Sequence, residues 1–124
     1  MSAIGDRIRS VVFDDDSSPS AAISLDDVHF ILSIEIRRWV IREIEEEEGG
    51  VDLSTLVDRR TEEIYGPSYG REEWLRQYSS LHQRHLPQLD KHGVIDYTDA
   101  NRVHRGDAYD AVVAVMDAVE EVVG

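Results

Sequence analysis

Arg76, Gln77, Ser79, Ser80, Gln83 and Arg84 lie within nine residues of one another. At helical spacing Arg76, Ser79, Ser80 and Gln83 share one polar face, with Gln77 and Arg84 on its flank. Guanidinium and carboxamide groups pair bidentately with the edges of guanine and adenine, and serine hydroxyls reach bases or phosphate. The face therefore has the equipment to read duplex DNA from the major groove. Arg102 and Arg105, close behind in the chain, are expected as phosphate or minor-groove contacts, and Arg59 and Arg60 as further backbone contacts. Any solvated helix carries a polar face, so the reading depends on how these residues are held.

Other chemistry fits less well. His82 and His85 stand three residues apart with His92 two turns on, a spacing at which imidazoles can share a metal ion. His85, however, falls on an apolar stripe with His82 at its edge, which favours packed, hydrogen-bonded rings, and no metal is expected. The carboxylates form surface runs without the spacing of a catalytic pair. No phosphate-cradling glycine loop, nucleophile motif or cofactor fingerprint is present, so neither enzyme activity nor a cofactor is expected. The absence of cysteine excludes disulfides, thiolate metal sites and cysteine nucleophiles.

The overall charge opposes DNA binding. The 124 residues carry 26 acidic and 13 basic side chains, a formal net charge of -13, and Lys91 is the single lysine. An acidic, lysine-poor, cysteine-free chain suits molar salt, where hydrated carboxylates keep a protein soluble and charges are screened beyond about 3 Å. The charge is also unevenly spread: residues 1–23 sum to -2, 24–58 to -7, 59–105 to +1 and 107–124 to -5. The arginines of interest thus fall in a near-neutral island. No apolar run reaches the roughly 20 residues of a membrane span and no signal sequence is evident, so a cytoplasmic location without membrane contact is expected.

The elements that must position the polar face follow from caps and periodicity. Ile4, Ile8, Val11 and Val12 suggest a weak helix, followed by a linker through Asp14, Asp15, Asp16 and a Ser/Pro stretch to Ser20. Ser24 opens a helix with Asp27 three residues on and Val28, Ile31 and Leu32 on its buried side. A second helix from about Ser33 carries Ile36, Trp39, Val40 and Ile44, then Glu45–Glu48 give way to Gly49-Gly50. Val51 is a very short strand, and Asp52 is placed to cap a third helix ending at Gly66-Pro67. A fourth helix runs from about Arg71 with Trp74, Tyr78, Leu81, His85 and Leu89 on one stripe, and Pro87 is expected to kink or restart it before Gly93. Val94–Tyr97 and Arg102–Arg105 form a hairpin, and a final helix spans Asp107–Val123.

Helix, helix, short strand, helix, helix, hairpin is the order of a winged helix. The segments "SLDDVHFILS" and "SSLHQRHLPQLDKHGVIDY" resemble an uncharacterised family of small winged-helix domains common in haloarchaea, over Ser24 to about Arg105. The apolar Ile34 and Ile36 of "SIEIRRW" and the loop Gly66–Gly70 depart from that pattern. The resemblance implies a DNA-binding transcription regulator by fold. The expected organisation is an α+β, mostly α, winged helix-turn-helix at 24–106, preceded by an extension and linker at 1–23 and followed by a C-terminal helix at 107–124.

In that last helix Tyr109, Val112, Met116, Val119 and Val123 step by 3, 4, 3 and 4, a coiled-coil-like seam. Two heptads are marginal alone, so the helix must pack on its own domain or on a second copy. The expectation is a homodimer through these five residues, setting two reading helices about 34 Å apart on a palindrome. The rival expectation is an acidic module that binds a protein of the transcription machinery and never touches DNA.

Overall fold

Ser24 begins the first helix as the spacing predicts. Its hydroxyl accepts the Asp27 backbone N–H at 3.0 Å, and α1, Leu25–Leu32, buries Val28 and Ile31. The computed structural model describes residues 23–98 and 101–123; the predicted N-terminal extension, part of the hairpin turn and the Val123 side chain lie outside the described residues. Ser33 closes α1, and an extended Ile34 separates it from α2, Glu35–Glu43, which therefore starts two residues later than its periodicity predicts. α2 buries Ile36, Arg37, Trp39, Val40 and Ile41, then tightens into a 3-10 turn at Ile44–Glu46.

Three strands and four further helices complete the described chain. β1 is Val51–Asp52 and runs directly into α3, Leu53–Tyr65. Asp52 stands at the helix start without a side-chain cap bond, because its carboxylate is taken by Arg102 at 2.8 Å. α4, Arg71–Ser80, opens with the Gly70 N–H donating to Glu73 at 2.8 Å. It passes through a π turn at Leu81–His85 into α5, Leu86–Lys91. β2, Ile95–Tyr97, and β3, Arg102–Arg105, form the hairpin, and α6 is Tyr109–Val123. β3 lies between the other two strands in an antiparallel sheet, with Val51 opposite Val103 and Ile95 opposite Arg105. The architecture is α+β and mostly helical. No helix among the described residues is long and apolar enough to cross a membrane.

A single apolar core runs from Val28 and Ile31 through Val40, Ile41 and Ile44 to Leu56, Val57, Leu81, Leu86 and Leu89. The sheet adds Val94, Ile95 and Val103, and α6 adds Tyr109, Val112, Val115 and Met116. Part of the seam expected for a second copy is thereby covered within one chain: Tyr109, Val112 and Met116 are 2%, 0% and 4% exposed. The cause is local: the Tyr109 hydroxyl donates to the Ile41 carbonyl at 2.6 Å, and Arg42 reaches Asp117 at 2.8 Å and Glu120 at 2.9 Å, so α6 lies back against α2. Val119 remains 44% exposed, and the Val123 side chain lies outside the description.

The return into α6 depends on close backbone approach. Gly93 has φ +77° after α5, and its carbonyl accepts Ala108 N–H at 2.8 Å while Gly106 N–H donates to Val94 at 2.9 Å. A Cβ on Gly106 would lie 2.3 Å from the Gly93 oxygen, a backbone atom that cannot swing aside. Gly106→Ala is expected to cost about 1–3 kcal/mol by forcing these strands of chain apart. Thermal unfolding should show a midpoint lowered by roughly 5 °C or more.

Candidate nucleic-acid interface

The inner side of α4 is held by a ladder of rings. Trp74 donates its indole N–H to Asp58 on α3 at 2.7 Å and stacks on Tyr78 at 5.4 Å. Tyr78 stacks on His82 at 5.3 Å, and His82 Nδ1 meets the Tyr97 hydroxyl on β2 at 2.6 Å. Below the ladder Leu81, Leu86 and Leu89 are fully buried. The π turn reconciles this packing with Pro87. A proline inside a helix has no N–H and its ring crowds the carbonyl four residues back, here that of Gln83. Widening the turn so that Leu86 N–H bonds to Leu81 O relieves that conflict and inserts one residue into the buried stripe, which is why His85 and Leu86 are both inside.

What faces outward is set by the same register. Ser79, Gln83 and Arg84 are exposed, Gln77 and Ser80 half-buried, and Arg76 is 62% exposed at its side chain. Ser79, Ser80, Gln83 and Arg84 line a shallow depression of about 370 Å³. From Trp74 to Leu89 the chain has no carboxylate at all, in a protein with 26 of them. Arg84 makes no hydrogen bond or ion pair among the described residues. Arg76 touches Glu72 at 3.8 Å, and the Tyr65 hydroxyl and Glu72 beside it favour its charged form. An exposed pair this long contributes little and is easily exchanged. Arg71, at the first position of α4, is equally exposed and unpaired among the described residues, and sequence spacing missed it because it sits a full turn before the polar cluster.

The other four arginines singled out by sequence are engaged within the fold. Arg59 is held by Glu43 at 3.4 Å and Glu47 at 3.1 Å. Arg60 forms two hydrogen bonds to Glu35, at 2.5 and 3.2 Å, and lies over the Trp39 ring. Arg102 ties β3 to Asp52 and to the Gly49 carbonyl at 3.0 Å. Arg105 donates to the carbonyls of Ile44 and Glu45 with its guanidinium over Tyr109. These side chains staple the hairpin and α3 to the 3-10 turn and α2, so the structure brings together the α4 set and leaves Arg59, Arg60, Arg102 and Arg105 outside it.

The helices and hairpin that carry this face match the family model described as "Domain of unknown function (DUF7344)" over residues 29–105. The chain belongs to the DUF7344 family. No curated protein and no solved structure matches it. The DUF7344 domain thus contains α2 through β3 and part of α1, whereas α6 lies beyond the matched residues.

Behind the α4 face the DUF7344 domain buries a cation. Arg37 is 3% exposed, stacks on Phe30 at 5.0 Å and donates from Nε to His85 Nδ1 at 3.3 Å; its Nη1 has no partner among the described residues. Burial lowers the His85 pKa to about 4, with the charges of Arg37, Arg84 and Arg60 adding to the effect. The neutral ring can therefore accept the guanidinium hydrogen bond. His92 lies instead near Asp27 at 3.7 Å and against Phe30, and His82 is turned to Tyr97, so the three imidazoles of the candidate metal set have separate partners.

Because the folded pKa of His85 lies below the ordinary 6.5, the unfolded chain binds a proton there that the native protein refuses. Its contribution to stability is complete above about pH 6.5 and falls as pH drops toward 4, by up to about 3 kcal/mol. Denaturant titrations at about pH 7 and about pH 5 should show the wild type losing more stability than His85→Gln, which keeps an acceptor for Arg37 but does not titrate. Equal losses would contradict the assignment.

Proposed function

We propose that this protein is a winged-helix DNA-binding regulator that reads duplex DNA with the outer face of α4 and its π turn, in a cell of high internal salt. Two features support the fold reading. The order α2, β1, α3, α4–α5, β2, β3 matches helix, strand, helix, recognition helix and two wing strands, and the sheet order β1-β3-β2 puts the final wing strand in the middle. The resemblance of 24–105 to haloarchaeal winged-helix domains points the same way.

The observation that carries the functional reading is the surface of Arg76, Gln77, Ser79, Ser80, Gln83 and Arg84, borne on a run from Trp74 to Leu89 without an acid and touched by Glu72 only at its Arg76 end, in a chain of charge -13. A random patch of so acidic a surface would contain several acids, and each would repel the phosphate backbone. Arg76 and Arg84 are eight residues apart, about 12 Å along the axis, which matches the roughly 12 Å width of the major groove. Their guanidinium groups, with two carboxamides and two hydroxyls between them, suit base edges more than a phosphate ladder. That is the mode least weakened by salt, because base contacts release few counterions. The wing arginines are held internally in this reading, so the hairpin contributes shape and not charge.

The acidic body favours a second reading, a protein-binding module of the transcription apparatus. The two separate when the protein is used to enrich a random duplex library in molar potassium chloride. Wild type should select a defined motif, and Arg76→Ala/Arg84→Ala should select none while its melting midpoint stays within roughly 2 °C, as expected for exposed side chains. Failure of the wild type to enrich any motif, or unchanged enrichment by the double variant, would exclude this face as a reader of duplex DNA.

A further inference from the structure

We propose that the groove between the end of α1 and the second half of α6 is the seat of the chain's own N-terminal segment, Ile4 to Val12, docked in cis. The groove encloses about 620 Å³, with Leu32, Val115, Met116 and Val119 supplying an apolar lining and His29, Arg38 and Glu120 at its rim. Val119 and, one turn on, Val122 are 44% and 68% exposed. Left bare, the end of α6 would present these two apolar side chains to water. The groove also lies where the DUF7344 match ends: one wall belongs to the matched residues 29–105 and the other to α6 beyond them, so its filling belongs to the flanks of the domain.

Three observations select the occupant. Ile4, Ile8, Val11 and Val12 recur at the spacing of one helix face, so the segment carries an apolar stripe. The geometry allows reach: Ile23 is anchored at 6% exposure where α1 starts, α1 spans about 12 Å, and residues 13–22 can extend over about 33 Å. Tethering at that length gives an effective concentration on the order of millimolar, well above that of a free second copy. Charge agrees as well. Residues 1–12 carry Asp6 against Arg7 and Arg9, a net +1, whereas 107–124 sum to -5, of which Arg42 already holds Asp117 and Glu120. Asp14, Asp15 and Asp16 come after the apolar stripe, in the linker, where they can remain in solvent.

The chain has no cysteine, so paired cysteines test this directly in the full-length protein. Val119→Cys would be combined in turn with Ile4→Cys, Ile8→Cys and Val11→Cys, oxidised, and separated without reductant. At least one pair should form an intramolecular bridge in most chains, seen as a monomer of altered mobility, while Asp6→Cys/Val119→Cys, on the opposite side of the stripe, should bridge at least roughly fivefold less. Full-length Ile4→Asp/Ile8→Asp should raise amide exchange across Val115–Val119 at least roughly tenfold, about 1.4 kcal/mol of local opening. Bridged dimers would give the groove to a second copy and overturn the proposal. So would no bridge from any of the three pairs, or unchanged exchange in the aspartate variant.

Discussion

Scarcity of positive charge governs this molecule. With two carboxylates for every basic side chain, a guanidinium that can reach an acid or a chain carbonyl within the fold will be held there, and only geometry prevents it. Arg42 gathers Glu45, Asp117 and Glu120; Arg60 clasps Glu35 over Trp39; Arg102 ties Asp52 across the sheet; Arg105 closes on the 3-10 turn. Individually such surface pairs contribute about 0–1 kcal/mol, and less in salt. Their larger consequence is subtractive: they remove these cations from the external surface and decide which ones a ligand can meet.

The cations that escape do so because of how α4 is mounted. Its ring ladder and the leucines beneath it fix one side against α3 and the hairpin, and the π turn adjusts the register around Pro87. The opposite side is then dictated residue by residue. Since no acid occurs from Trp74 to Leu89, Arg84 has no carboxylate nearby in sequence, and Arg76 has the Tyr65 hydroxyl and a loose contact with Glu72. The buried Arg37–His85 pair sits behind this surface and keeps the imidazole neutral, so that positive charge below the π turn stays with arginine.

Local chemistry was legible in the sequence. The Ser24 cap, the Gly66-Pro67 stop, the disturbance at Pro87 and the hairpin each follow from a few adjacent residues, and each is found. Long-range choices were not. Asp52 has the type and place of a helix cap, yet a partner 50 residues away takes its carboxylate. The apolar stripe from Tyr109 to Met116 reads identically whether it faces a twin or its own domain, and what decides is the Ile41 carbonyl 68 residues earlier. The same limit applied to the arginines. Arg102 and Arg76 are alike as letters, and only the folded backbone brings an acid and a carbonyl to one and a single loose acid to the other.

If internally engaged arginines are withheld from DNA, affinity must depend on salt only through the few that remain free. The direct measurement is the slope of log affinity against log potassium chloride concentration for the enriched duplex. Contacts from Arg71, Arg76, Arg84 and the exposed Lys91 predict a slope no steeper than about -4, at roughly -0.9 per neutralised phosphate. A slope near about -6 would mean that Arg59, Arg60, Arg102 and Arg105 leave their carboxylates and carbonyls to join the complex, and would contradict their retention inside the fold.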